Sequence, residues 1–202
     1  MATASNDSTS ARGRILVAAR TLFTTTGYAS TTIKAIAVEA GVAVQTVYFV
    51  FGNKRSILAA LLDVSIAGDD EPVPTLERQW VAAAIAARDP LEQLRIQVHA
   101  SRQVLDRVGP VLLAVRAAAG ADAEVAQLWA TTCAHHETVL RHLMTALATK
   151  VDGLDVDRCV DIGLVLLGPE SHDLLLHERG WTAADYEQWV VESLAAAAGV
   201  PR

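Results

Sequence analysis

Apolar positions recur at helical spacing along this chain, and nowhere do they alternate over a run long enough for a strand. Ile15, Ala18, Ala19, Leu22 and Phe23 mark the inner face of a first helix that starts at Ser10 or Ala11 and ends near Thr25. Gly27 stops it, and Tyr28 is expected to pack back onto the head. Ile33, Ile36, Ala37 and Ala40 share one face of a second helix over 32–40. Gly41 follows, where a helix end commonly needs a positive φ. A third helix over 43–50 turns Val42, Val47 and Phe51 inward and leaves Val44, Gln45, Thr46, Tyr48 and Phe49 outside. A short helix, a glycine turn and a second helix with polar and aromatic residues facing out is the plan of a helix-turn-helix, whose second helix enters the major groove of DNA.

The pattern continues with a helix over 54–66, capped by Asn53, and then breaks in the stretch 68–74, GDDEPVP. Helical segments follow at about 75–88, 90–107, 109–119, 122–149, 157–178 and 182–198. Asp89-Pro90, Gly109-Pro110, Gly120 and Gly153 separate them, and Gly168-Pro169 kinks or splits the fifth of them. Thr182 is placed to cap the last, with Asp185 three residues on as the second half of a capping box. The chain is therefore expected to be all-α. A disordered tail (1–10) leads into a three-helix DNA-binding head (11–53), followed by a helical bundle (54–202).

Residues 27–58 also resemble the TetR family of transcriptional regulators. Gly27, Tyr28, Thr31, Thr32, Ile33, Ile36, Ala37, Ala40, Gly41, Val42, Thr46, Val47, Tyr48, Phe51, Asn53, Lys54 and Leu58 match the family pattern without a gap. Two positions depart from it. Ala43 stands where the family has Ser or Thr, which removes a cap worth about 1 kcal/mol. Val50 stands where His or Tyr is common. The resemblance implies that Lys54, Tyr48 and Thr31 or Thr32 meet DNA phosphates. Lys54 would act beside the amides at the start of its helix. On the outward face of the third helix, Gln45 suits adenine, and Val44 and Thr46 suit thymine methyls, with Phe49 beside them. Lys34 reaches a guanine edge or a phosphate. The family reading is a ligand-responsive dimeric regulator, a repressor, that binds a palindromic operator in double-stranded DNA and is released by a small-molecule effector. A helical enzyme or carrier with a vestigial head is the alternative. The sequence offers it no phosphate loop, nucleophile elbow or placed carboxylate pair.

Charge sharpens the division. Residues 1–60 carry six basic side chains against Asp7 and Glu39, a net of +4, whereas the remainder carries 11 basic and 21 acidic side chains, a net of −10. The basic end meets phosphates, and the acidic body, repelled by DNA, orients the encounter. The first ten residues lack the apolar core of a secretory signal, and no apolar run is long enough to span a bilayer. A cytoplasmic protein without a membrane partner is expected. Cys133 and Cys159 lack metal-ligand spacing and read as reduced, buried small residues. His135, His136, His142, His172 and His177 form no ligand set and read as solvated or core-edge residues, so neither metal nor cofactor is expected.

Several polar residues fall on apolar helix faces in the body. Gln97, Ser101 and Arg102 lie beside Leu94, Val98 and Leu105, and Trp129, Thr132 and His136 lie on the inner face of 122–149. Such groups need partners. Two readings stand: they bond to one another and to nearby backbone, or they line a mostly apolar effector pocket in which Arg102 meets an anionic group of the ligand. Near the C-terminus, Leu164, Leu167, Tyr186, Trp189, Val190 and Leu194 form an apolar and aromatic set read as a homodimer interface, with a share in the core.

Overall fold

The computed structural model describes residues 10–68 and 73–200. Residues 1–9 of the expected disordered tail (1–10) and residues 69–72 of the loop lie outside these residues. Among the described residues every regular element is helical.

Helix α1 (Ala11–Thr25) begins at Ser10, whose hydroxyl accepts from Gly13 N. α2 (Ile33–Glu39) is capped by Thr32 in the same way, through Ala35 N. α3 (Val44–Phe51) starts at Ala43 without a side-chain cap bond, as its missing hydroxyl dictates. Gly41, at φ 62°, supplies the left-handed residue between α2 and α3. Asn53 caps α4 (Lys54–Ala67) by accepting from Ser56 N. Ile15, Ala19, Phe23, Ile36, Val47 and Ile57 are wholly buried. Each falls on the apolar stripe of its helix, so the spacing of the stripes sets how α1 to α4 pack. These helices form one compact unit with residues 110–130.

The second compact unit comprises 71–109 and 131–202. It holds a 3₁₀ turn (Thr75–Glu77), α5 (Gln79–Ala86), α8 (Val156–Leu166), α9 (Pro169–Asp173), a π turn (Leu174–Glu178) and α10 (Ala183–Ala198), with the larger parts of α6 and α7. Its main core joins Leu94, Val98, Met144, Val160, Tyr186 and Leu194, among others. The expected capping box at Thr182 and Asp185 is complete in both directions.

One expected break is absent. Residues 90–107 and 109–119 form a single helix, α6 (Pro90–Ala119), that runs through Gly109-Pro110. Val108, Val111, Leu112 and Val115 on either side are buried, and their burial outweighs the backbone hydrogen bond lost at Pro110. The break at Gly168-Pro169 is real, because Gly168 is extended (φ −81°, ψ 153°) and Pro169 opens α9. α7 (Ala123–Ala148) matches its expected span to within a residue at each end.

Candidate nucleic-acid interface and effector site

α2 and α3 are bent by 109° to one another, within the range of a helix-turn-helix pair. Val47 fastens α3 to the head by burial, which turns the opposite face outward. Phe49 is 91 % exposed and Tyr48 53 % exposed, and Gln45 and Lys34 are exposed with them. Val44 and Thr46 are half-buried beside them.

Two residues expected at phosphates have other duties. Thr31 is buried, and its hydroxyl donates to Gly27 O at 2.8 Å, closing the turn between α1 and α2. Lys54 is half-buried, and its ammonium donates to the carbonyls of Tyr28 (2.8 Å) and Thr31 (2.9 Å). It also lies 4.2 Å from the centre of the Tyr28 ring, a cation–π contact. Burial lowers the Lys54 pKa. Lys54 thus clamps the 28–31 turn, and Thr31 closes it, so both side chains have partners within the head besides the phosphates expected for them. Thr32, exposed at the N-cap of α2, keeps that position open. Arg14 adds a second brace, donating to Ala40 O at 3.3 Å, and the Arg12 guanidinium stands 5.8 Å from the Phe51 ring. In the same unit Arg55 pairs with Glu124 at 3.3 Å. Burial, and then the charges of Asp122 and Glu124, raise the Tyr28 phenol pKa.

The polar residues of the body separate into two groups. Arg102 bonds to Glu187 of α10 and to Asp106 one turn along α6. Burial works against its charge, but these carboxylates outweigh it and raise its pKa. The expectation that Arg102 needs a ligand anion therefore loses its premise. Asp106 extends the network, since its Oδ1 lies 2.9 Å from His172 Nε2. His172 is 2 % exposed, which overturns its reading as a solvated or core-edge residue, and its ring meets those of Tyr186 and His177. Desolvation lowers its pKa despite Asp106. Gln97 stands apart. It is 1 % exposed, and neither its Nε2 nor its Oε1 has a hydrogen-bond partner. Ser101, Thr132 and His136 are partly buried, and desolvation lowers the His136 pKa. Trp129 is half-buried and falls in the other compact unit.

The set read as a dimer interface with a share in the core divides by burial. Leu167, Tyr186, Val190 and Leu194 are buried in the chain's own core, and the Tyr186 hydroxyl donates to Leu166 O at 2.6 Å. They leave no surface for a partner. Leu164 and Trp189 are half-buried, and the exposed apolar residues of this region are instead Val165, Leu174 and Trp181. Cys133 is half-buried rather than buried.

Residues 15–61 match the sequence model of the bacterial regulatory proteins, tetR family. Over that segment the chain is similar to the tetR family of transcriptional regulators. TetR-family regulators are DNA-binding transcription factors, not enzymes. No curated protein matches the chain. Solved structures share its fold over nearly its whole length. FadR of Bacillus subtilis, in complex with stearoyl-CoA, is 19 % identical with a TM-score of 0.72, covering 91 % of this chain and 97 % of its own. FadR of Bacillus halodurans, a fatty acid degradation regulator, is 19 % identical with a TM-score of 0.73, covering 91 % and 94 %. A regulator from Saccharomonospora viridis, in complex with choline, is 19 % identical with a TM-score of 0.66, covering 92 % and 95 %. No single described helix is long and apolar enough to cross a membrane.

The outward face of α3 was legible because the helix is short and one residue, Val47, fixes which side is in. The clamp by Lys54 was not, because its partners are carbonyls, which sequence does not distinguish. The burial of His172 depends on α6 and α10, both remote in sequence. Only Asp106, one residue from the Leu105 stripe, hinted at it.

Proposed function

We propose that the chain is a dimeric, ligand-responsive repressor that acts in the cytoplasm and binds a palindromic operator through α3 of each head. The observation that carries this reading is the outward face of α3, with Gln45, Tyr48 and Phe49 uncovered on a net-positive head. Gln45 reads an adenine edge, Val44 and Thr46 meet thymine methyls, and Tyr48, Thr32 and Lys34 engage the backbone or a base edge. Phe49 covers its ring against the groove wall.

The effector binds in the body. Ligand complexes of proteins with this fold, one with stearoyl-CoA and one with choline, support a body that accepts small molecules. Gln97, Ser101, Thr132 and His136 are the residues proposed for the site. Helix α7 carries two of them and also Glu124, which pairs with Arg55 at the start of α4. A ligand that favours one position of α7 would thereby act on that pair, and it shifts DNA affinity only by its differential affinity for the two states. Dimerisation uses Leu164 and Trp189 with Val165, Leu174 and Trp181 on the same stretch of chain.

Selection of bound sequences from random duplex DNA tests the reading. The expected product is an inverted repeat with half-sites about one helical turn apart, or a multiple of it. Enrichment of an unpaired half-site, or of nothing, would refute it.

A further inference from the structure

The register of α6 against α7 follows from one bond. Gln93 Nε2 donates to Leu143 O at 2.8 Å, close to the ends of the two helices farthest from the short turn that joins them. The pair is therefore antiparallel, and each turn forward on α6 is a turn back on α7. Gln97 then faces the turn at Val139 and Leu140, Ser101 the turn at His136, and the following turn of α6 faces Thr132. Packing agrees with this register. Ile96 joins a cluster with Val139 and Leu143, while Leu94 and Val98 join one with Leu140 and Met144. Gln97 lies between the two apolar clusters with its whole carboxamide buried and unpartnered.

We propose that the seam from Gln97 to Thr132 receives an uncharged, largely apolar molecule whose carboxamide or similar donor–acceptor group pairs with the Gln97 side chain. This rests on the ligand-responsive reading above and adds the ligand's class. A buried amide lacking both its donor and its acceptor bonds is costly, and a group offering one of each repays it. The other polar groups of the seam are two hydroxyls and an imidazole. Burial lowers the His136 pKa and keeps that ring neutral at pH 7. Arg102, next to Ser101 on α6, is already held by Glu187 and Asp106. A carboxylate or quaternary ammonium entering here would lose its hydration and gain no counter-charge. The ligands of the two structural relatives, an acyl-CoA and choline, are charged, so this chain is set apart from both.

The seven residues from Gln97 to the turn facing Thr132 span about 10 Å of helix, which suits eight-carbon probes. Octanamide, octanoate and octyltrimethylammonium are titrated against the full chain by calorimetry and thermal melting. Octanamide is expected to raise the melting temperature and to bind at least tenfold more tightly than either charged probe. Gln97→Leu should lower its affinity by about tenfold or more. Without ligand, the same variant should melt higher than the parent, because it removes an unsatisfied polar group. Gln97→Met gives the same readings with a more flexible side chain should the leucine variant not fold. Equal or tighter binding of a charged probe overturns the uncharged class and leaves a ligand-binding body intact. No binding of any probe, with both variants melting higher, overturns the seam as a ligand site altogether. Variants that fold but melt lower show an amide already satisfied by an internal water, and overturn the proposal too.

Discussion

Lys54 and Gln45 lie nine positions apart in the head and do opposite work. The Lys54 ammonium satisfies two carbonyls of the 28–31 turn and sits against the Tyr28 ring, so it acts on the fold first. Lys54→Ala should destabilise the head by about 1–3 kcal/mol in urea unfolding, because hydrogen bonds to a charged group are lost. DNA binding should fall with it, for all sequences alike. A variant that melts like the parent yet loses only a salt-dependent share of affinity would restore the phosphate role and refute the clamp. Gln45 is exposed and has no structural duty. Gln45→Ala should leave the melting point unchanged and cost roughly 1–3 kcal/mol per half-site at one base position. Equal losses across a panel of single-base operator variants would remove Gln45 from base reading. The contrast separates positions that hold the head together from positions that touch its target, which the family resemblance alone had merged.

At the scale of elements, the periodic stripes located nearly every helix, and the caps at Ser10, Asn53 and Thr182 fixed three starts to within a residue. What was not legible depended on competition between local and distant terms. Gly109-Pro110 carries a strong local breaking signal, yet four buried aliphatic side chains around it hold α6 continuous. Gly168-Pro169 carries the same signal, and there the chain does turn. The share of the C-terminal apolar set that serves the core was not legible for a related reason. A helical wheel reports an apolar stripe but not whether the chain itself or a partner covers it. Leu194 and Val165 now divide that question. Val165 is 67 % exposed on α8, whereas Leu194 is buried with Tyr186 and Val190. Val165→Glu should leave the melting of the monomer near the parent value and shift the mass in solution from two chains to one. Leu194→Glu should unfold the body, since it buries an unpaired charge. Light scattering and melting together decide it. A Val165→Glu protein that remains dimeric excludes the outer face of α8 from the interface.

At the scale of the molecule, two opposing electrostatic effects set how stability responds to pH. The chain carries a net charge of −6, with all of its acid excess in residues 61–202 and a pI near 5.5. Acidification from pH 8 toward 5.5 therefore relieves self-repulsion, which by itself would stabilise the fold. Two histidines, His172 buried and His136 partly buried, act the other way. Desolvation lowers the pKa of both His136 and His172. His172 faces Asp106 and Arg102 from α6, His177 from its own segment and Tyr186 from α10, and the carboxylate offsets only part of the burial. In the unfolded chain an imidazole takes up a proton below about pH 6.5. In the folded chain these two do so only at lower pH. The unfolded state thus binds more protons in that window, and stability falls as pH drops through 6.5 toward the lowered folded values. Surface repulsion is screened over about 8 Å at 0.15 M salt, whereas buried groups are screened much less. At that ionic strength the histidines should win, and the urea midpoint should be lower at pH 5.5 than at pH 8. The paired substitution His136→Gln and His172→Gln should flatten the slope or reverse it, as only the relief of repulsion remains. A parent midpoint that rises on acidification, or a double variant with an unchanged slope, would show that these rings are not what the fold must keep neutral.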